Sequence, residues 1–181
     1  MIMLVTGGAA SGKSEYAEQA AAMLGGNKIY LATMRRSDEE DERRVSRHRA
    51  LRRGKGFLTV ERERDLSRCE VPKQSTVLLE CLSNLLSNEM FDERGVGPNR
   101  AGEEIFAGIC KLTEQAKHLV IVSNEIFSDG VPYEETVMRY QQILGELNQR
   151  IAGMADRVVE VVCGIPVMLK QEEKDGSLAV F

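Results

Sequence analysis

The most informative chemical pattern in the chain lies at residues 7–14, which read GGAASGKS. This segment fits G-x-x-x-x-G-K-[ST] at every fixed position, the pattern of a phosphate-binding loop, or P-loop. The apolar run 2–6 before it has strand character, and small and apolar residues recur at helical spacing after it as far as Leu24. A strand before the loop and a helix after it are the context that a P-loop requires. The chain is therefore predicted to bind a nucleoside triphosphate.

Phosphate binding requires each of the residue types in this loop for a physical reason. Glycines let the backbone wrap closely around phosphate oxygens, and successive amide N–H groups and the helix N-terminus then face the anion. Lys13 would place its ammonium group on the β- and γ-phosphates, and Ser14 would offer its hydroxyl group to Mg²⁺. The predicted phosphate contacts are all eight residues of the loop: Gly7, Gly8, Ala9, Ala10, Ser11, Gly12, Lys13 and Ser14.

Polar side chains follow two further apolar strands. Glu80 ends the run 76–79, at the position where P-loop proteins need a carboxylate, usually Asp, to hold Mg²⁺ or its waters. Glu80 is therefore the second predicted metal ligand, and the alternative is an ordinary strand-end carboxylate that faces water. Asn124 and Glu125 follow the run 118–123 and should reach the same edge of the sheet. They are well placed for an acceptor substrate, although a role in a turn is an equal alternative.

A basic segment at residues 43–53 reads RRVSRHRALRR. On a helix, Arg44, His48 and Arg52 would share one face. Nearby cations disfavour the imidazolium form, so His48 would stay neutral and could act as a nucleophile while the arginines neutralise phosphate oxygens. Composition alone favours a plainer interpretation, a solvated basic helix with an incidental histidine. The other histidine, His118, begins a predicted strand and is interpreted as structural.

Short β-rich runs alternate with helical stretches along the chain. Strands are predicted at 2–6, 28–33, 57–60, 76–79, 118–123, 158–162 and 167–170. Helices are predicted after the P-loop, at 38–53 and 82–91, from the loop 92–102 to about residue 117, and at 133–154. This alternation predicts an α/β fold of the P-loop class: a mainly parallel sheet with helices on both faces and an antiparallel hairpin at its edge.

The long helix predicted at 133–154 carries one continuous apolar stripe. Its members follow alternating spacings of three and four: Val137, Tyr140, Leu144, Leu147, Ile151 and Met154. Packing on the sheet is the favoured interpretation, and a subunit interface is the alternative.

Composition narrows the class of protein. The length of 181 residues predicts a single domain over 1–181, in which 171–181 form a loose tail. A net charge of −4 argues against a general nucleic-acid binder, and no apolar run approaches the length of a membrane span. The N-terminal strand leads straight into the P-loop, which excludes a signal peptide. The four scattered cysteines predict reduced thiols in a cytoplasm. A regulatory GTPase is not favoured, because no [NT]-K-x-D signature follows a strand.

At this point the chain resembles the family of bifunctional adenosylcobinamide kinases/adenosylcobinamide-phosphate guanylyltransferases of cobalamin biosynthesis over nearly its whole length. The segments that carry the resemblance occur in family order: 4–9 with 11–14, 30–33, 44–49 with 52–53, 59–61, 78–82, 123–125, 148–150, 155–156 and 164–166. The P-loop is generic, whereas the His-Arg segment and the Leu-Leu-Glu-Cys strand are much more specific.

The resemblance implies two reactions and reverses the interpretation of His48. The enzyme would phosphorylate adenosylcobinamide with ATP or GTP, and His48 would then attack the α-phosphate of GTP and carry GMP as a phosphoramidate to the phosphorylated product. Besides the P-loop, the implied nucleotide contacts are Ala32, Thr33, Met34, Arg49, Ala50, Leu51, Arg52, Glu61 and Glu80. The implied fold is a RecA-like P-loop sheet with an antiparallel edge, assembled as a cytoplasmic homotrimer with nucleotide sites near the subunit contacts.

Three departures from the family pattern stand out. Gly54 and Phe57 occupy positions where the family often has Pro and Trp, and about one extra residue precedes Glu61. Phe127 falls in a turn that is Gly-rich in the family, where it would reshape the cobinamide side of the pocket. Two other functions fit the P-loop: a small-molecule kinase in which His48 is idle, and a nucleotide-dependent binding or regulatory protein.

Overall fold

The computed structural model describes residues 1–35, 54–128, 130–131, 133–172 and 178–179, and the helix predicted at 38–53 lies outside them. The strands are β1 Ile2–Thr6, β2 Lys28–Ala32, β3 Phe57–Glu61, β4 Thr76–Glu80, β5 His118–Val122, β6 Arg157–Val162, β7 Ile165–Glu172 and β8 Leu178–Ala179. The helices are α1 Lys13–Met23, α2 Leu82–Phe91, α3 Ala101–Gln115 and α4 Glu135–Met154, with a 3₁₀ turn at Leu66–Arg68. The sequence predicted these strands and helices to within a few residues, except β8 and the 3₁₀ turn.

The described strands form one sheet in the order β3-β2-β4-β5-β1-β6-β7-β8. Neighbours from β3 to β6 are parallel, and β7 and β8 are antiparallel to the strands beside them. The predicted α/β fold, with its parallel sheet and antiparallel edge, is confirmed. Because the parallel strands share one direction, their carboxyl ends meet at one edge of the sheet, where ligands of such folds bind.

Two buried apolar layers cover the faces of the sheet. On one face, Ala17, Ala20 and Ala21 of α1 pack on strand residues such as Val5 and Leu78. Small alanine side chains let α1 lie close to the sheet, which fixes the position of the P-loop that precedes it. On the other face, α2, α3 and α4 bury the leucine- and isoleucine-rich cluster that forms the larger part of the core.

The apolar stripe of α4 packs as predicted over its central and C-terminal turns. Leu144, Leu147 and Ile151 are buried in the core, and Tyr140 packs against its rim. Val137, in the first turn, is exposed. Packing of this helix over the sheet therefore accounts for most of the stripe.

The edge hairpin is longer than predicted. β7 begins at Ile165 and includes Pro166, which pairs with Val161 of β6. The loose tail predicted from residue 171 is wrong for the described residues: Gln171 and Glu172 belong to β7 and pair with Ala179 and Leu178 of β8. Backbone pairing with an open edge strand does not require an apolar pattern. The polar residues of this segment therefore carried no sequence pattern that would predict a strand.

The structure also bears on the predictions about membrane spans and cysteines. No helix among the described residues has the length and apolar character needed to cross a membrane. The four cysteines are all free: Cys69 and Cys81 are buried, Cys110 is half-buried and Cys163 is exposed.

Candidate active site

The P-loop connects β1 to α1 at the carboxyl edge of the sheet. Gly7 has a φ of 152°, and a Cβ atom there would lie 2.5 Å from the carbonyl oxygen of Val161 and 2.6 Å from Ser11 Oγ. Gly12 caps α1 in a left-handed conformation with φ of 92°. These glycines are needed because the loop both turns sharply and lies against its neighbours.

The β6–β7 hairpin supports the loop from outside. The backbone amide of Gly164, in the hairpin turn, donates a hydrogen bond of 2.8 Å to the carbonyl oxygen of Ser11. The hydroxyl oxygen of Ser11 is buried and has no hydrogen-bond partner among the described residues. A buried hydroxyl of this kind is a ready partner for a phosphate oxygen.

Lys13 lies inside the loop. Its side chain is buried, and Nζ donates a hydrogen bond of 2.9 Å to the carbonyl oxygen of Gly8. Burial lowers the pKa of Lys13, while electrostatic interactions with Cys81 and Glu80 act in the opposite direction. The ammonium group is thus held where the loop would enclose a phosphate.

Glu80 and Ser14, the two predicted metal ligands, meet beside Lys13. Burial raises the pKa of Glu80 to about 7; a hydrogen bond from Ser14 and the charge of Lys13 act against this rise, and the charge of Glu18 adds to it. Carboxylate and hydroxyl oxygens are the donors that Mg²⁺ prefers. No group of three His, Cys, Asp or Glu side chains in the described part of the chain could hold a metal. The two oxygen donors of Ser14 and Glu80 therefore fit Mg²⁺, which they could hold only in part.

Thr33 shapes the backbone next to Glu80. Its hydroxyl group donates to the carbonyl oxygen of Cys81 at 2.9 Å and accepts from the backbone amide of Cys81 at 2.6 Å. Asn88 donates from Nδ2 to the carbonyl oxygen of Thr33 at 2.9 Å. The buried Thr33 side chain is therefore committed to the segment that follows β4.

A polar cluster continues from Cys81 away from the P-loop. Ser83 Oγ lies 2.9 Å from Cys81 Sγ and accepts a hydrogen bond of 2.6 Å from Asn124 Nδ2. Tyr140 donates from its hydroxyl group to the carbonyl oxygen of Ser83 at 3.0 Å. The sequence pointed to Asn124 but not to Ser83, whose only signal was its place in the first turn of the helix after Glu80.

The other predicted residues divide into two groups. Ala32 pairs with both Glu61 and Glu80, so all three lie at the carboxyl edge, and Met34 follows two residues later. Glu61 is exposed and lines a cleft of about 250 Å³ with residues 62–65. β3 lies two strands from β4, which is about 10 Å, so Glu61 is not part of the Lys13–Ser14–Glu80 group. The predicted site residues His48, Arg49, Ala50, Leu51 and Arg52 lie outside the described residues.

Comparison with known proteins identifies sequence relatives over most of the chain. Residues 3–169 match the family model described as cobinamide kinase / cobinamide phosphate guanyltransferase. The chain is 37% identical to the bifunctional adenosylcobalamin biosynthesis protein CobP of Pseudomonas aeruginosa, over 93% of this chain and 97% of the relative. It is 32% identical to the bifunctional adenosylcobalamin biosynthesis protein CobU of Escherichia coli, over 94% of this chain and all of the relative.

A solved structure shares the fold at much lower sequence identity. An ATPase from the type III secretion system of pathogenic bacteria superposes with a TM-score of 0.52 at 11% identity, over 92% of this chain and 56% of that one. This likeness supports the arrangement of the sheet and helices as a P-loop fold.

Proposed function

The chain belongs to the cobinamide kinase / cobinamide phosphate guanyltransferase family, and we propose that it phosphorylates adenosylcobinamide and then converts the product to adenosyl-GDP-cobinamide. Its family and its relatives make it an enzyme of cobalamin biosynthesis with kinase and guanylyltransferase activities. The observation that carries the proposal is the meeting of Lys13, Ser14 and Glu80 at the P-loop.

In the first reaction, ATP or GTP is bound by the loop 7–14. The hydroxyl oxygen of the aminopropanol side chain bonds to the γ-phosphorus as the bond to the β–γ bridging oxygen breaks, and the nucleoside diphosphate leaves. Lys13 stabilises charge on the transferring group, since its ammonium lies inside the loop in a buried, preorganised position. The loop amides and the N-terminus of α1 hold the phosphates in line.

Ser14 and Glu80 would hold Mg²⁺ with the nucleotide. When bound, the ion supplies positive charge that neutralises phosphate oxygens. The protein's own part is to bring the two oxygen donors together, which it does by placing Ser14 in the first turn of α1 and Glu80 at the end of β4.

In the second reaction, His48 takes GMP from GTP and pyrophosphate leaves; the phosphorylated cobinamide then displaces the histidine from GMP. Arg49 and Arg52 neutralise the phosphates, and covalent catalysis of this kind predicts ping-pong kinetics. The chain has two histidines. His118 begins β5, at the edge of the sheet opposite the P-loop, and its Nδ1 atom is buried. This placement favours His48 as the nucleophile.

Intact mass spectrometry tests the histidine step. The wild-type enzyme is mixed with GTP and Mg²⁺ in the absence of cobinamide, and a GMP adduct is expected that peptide mapping assigns to His48. His48→Ala should form no adduct but retain phosphorylation of adenosylcobinamide, and His118→Ala is the matched control that should still form the adduct. An adduct that persists in His48→Ala would rule out this nucleophile, and no adduct in any variant would favour a kinase in which His48 is idle.

We also propose a cytoplasmic enzyme that acts on small molecules and assembles as a homotrimer. The free cysteines support a reducing compartment. Light scattering coupled to gel filtration would measure the subunit number, and a monomer at micromolar concentration would contradict the trimer.

A further inference from the structure

We infer that Asn124 binds the hydroxyl group of the phosphoryl acceptor through its side-chain oxygen, and that Ser83 is a positioning residue that holds the Asn124 carboxamide for this contact. The inference deepens the proposed kinase reaction and rests on it. The P-loop would bind the phosphates of the nucleotide, and Asn124 and Ser83 would form the part of the site that binds the phosphoryl acceptor.

Asn124 lies directly beside the P-loop because β5 is the parallel neighbour of β1. Val5 and Val122 are register partners, and the amide of Ser123 continues the ladder with a 2.9 Å hydrogen bond to the carbonyl oxygen of Val5. One residue beyond Asn124, the amide of Glu125 donates to the carbonyl oxygen of Gly7 at 3.0 Å. Asn124 is therefore attached on both sides to the strand and loop that carry Gly7.

β5 is also the parallel neighbour of β4, which ends in Glu80. Leu79 and Ile121 are register partners, so Asn124 follows β5 next to the point where Cys81 follows β4. Cys81 in turn lies close enough to Lys13 to influence the pKa of its ammonium group. Asn124 therefore lies beside both the P-loop and Cys81.

The carboxamide of Asn124 has a defined orientation. Nδ2 lies 2.6 Å from Ser83 Oγ and 3.8 Å from Cys81 Sγ, and both contacts use the donor end of the amide. Ser83 is buried and is fixed further by the hydroxyl group of Tyr140, which bonds to its carbonyl oxygen. No donor among the described residues bonds to the Oδ1 atom of Asn124, and the residue is half-buried. The oriented amide thus has a hydrogen-bond acceptor, Oδ1, that no described donor occupies.

This acceptor suits a hydroxyl group. Asn124 Oδ1 would accept the hydrogen bond of the hydroxyl, which leaves a lone pair of the hydroxyl oxygen to form the bond to the γ-phosphorus. The bond from phosphorus to the β–γ bridging oxygen breaks, the nucleoside diphosphate leaves with that electron pair, and the hydroxyl proton passes to solvent. An amide is too weak a base to take the proton, so Asn124 orients the hydroxyl and does no more. Orientation of this kind matters because a small misplacement of a reacting group can slow a reaction about a hundredfold.

Kinetics of the kinase step with adenosylcobinamide and ATP test the assignment. Asn124→Ala should lower kcat/KM for the acceptor about tenfold to a hundredfold and leave the KM for ATP within about threefold of wild type. Asn124→Asp keeps an oxygen toward the acceptor, so its kcat/KM for the acceptor should be much closer to wild type than that of Asn124→Ala. Ser83→Ala should act in the same direction as Asn124→Ala but less strongly, and the double variant should be no worse than Asn124→Ala alone.

Asn27→Ala is the matched control. Asn27 is exposed in the loop before β2, at the opposite edge of the sheet, and its substitution should change neither Michaelis constant. Thermal unfolding of every variant, in parallel, separates a binding effect from a loss of structure.

Failure of the proposed function and failure of the Asn124 assignment give different experimental results. Wild-type enzyme that does not phosphorylate adenosylcobinamide would overturn the proposed function. Wild-type enzyme that does so, together with a folded Asn124→Ala variant whose acceptor kinetics are unchanged, would overturn the assignment of Asn124 alone. Equal increases in the KM for ATP and for the acceptor in Asn124→Ala would also overturn it, because they would indicate a general distortion of the P-loop.

Discussion

The ammonium group of Lys13 donates a hydrogen bond of 2.9 Å to the carbonyl oxygen of Gly8, five residues earlier in the same loop. The contact joins the first turn of α1 to the start of the P-loop, and it gives a buried cation a hydrogen-bond partner. The loop therefore supplies a hydrogen-bond partner to its own lysine.

Removal of this cation should damage both reactions. Lys13→Ala is expected to lower the rates of phosphorylation and of GMP-adduct formation by about 10²–10³-fold, because both need a positioned triphosphate. Lys73→Ala is a matched control, since Lys73 is exposed in the turn before β4. Turnover of adenosylcobinamide at the wild-type rate in Lys13→Ala would contradict the role of the loop in that step.

Neighbouring glycines of the P-loop should respond very differently to alanine. At Gly7 the left-handed backbone and the contact of a Cβ atom with Val161 and Ser11 predict a loss of about 2–4 kcal/mol in the free energy of unfolding. At Gly8 a Cβ atom would meet nothing within 4 Å, so Gly8→Ala should change stability by less than about 1 kcal/mol. Urea denaturation of the two variants provides the comparison, and equal losses of unfolding free energy would contradict the different roles of Gly7 and Gly8.

The sequence predicted the parts of the fold that follow from local patterns. The apolar runs that became β1, β4 and β5 are buried on both faces of the sheet, so their composition alone marks them as central strands. The P-loop pattern placed Lys13 and Ser14, and the strand-end position placed Glu80, because parallel strands bring their carboxyl ends to one edge. The structure brings these three separately named residues together.

Other features depend on contacts that a linear pattern does not encode. Ser83 and Thr33 form hydrogen bonds with partners 41 and 48 residues away in sequence. Ser83 lies in no motif, and Thr33 was named only through the family segment 30–33, which does not predict these bonds. Glu61 matched a family segment, yet the strand order places it two strands beyond Glu80. Strand order within a sheet depends on how the connecting segments cross it, so sequence spacing alone could not predict that separation.

The stability of the nucleotide-free protein should depend on pH through Glu80. Burial raises the pKa of Glu80 from 4.5 to about 7, so the folded state binds this proton more tightly than the unfolded state. The resulting stabilisation is complete below the unfolded pKa and is lost as the pH rises through about 7; it amounts to on the order of 3 kcal/mol.

Glu80→Gln removes this titration and should flatten the curve of unfolding free energy against pH. Urea denaturation at about pH 5 and about pH 8, without nucleotide or Mg²⁺, should show a smaller difference between the two conditions for Glu80→Gln than for wild type. Glu15→Gln is the control, because Glu15 is exposed on α1 and should leave the wild-type difference intact. Identical pH profiles for wild type and Glu80→Gln would mean that Glu80 ionises as it does in water.

A buried ion pair on the inner side of α1 gives the last prediction. Lys55 Nζ lies 2.8 Å from Glu18 Oε2, and the Glu18 side chain is only 2% exposed. Lys55→Met should destabilise the fold by about 2–4 kcal/mol, because it leaves the Glu18 carboxylate buried without its cation. The double variant with Glu18→Gln should recover a large part of this loss, since a neutral amide has a much smaller desolvation penalty. Thermal unfolding of both single variants and the double variant gives the coupling energy, and additive losses would show that the two groups do not interact.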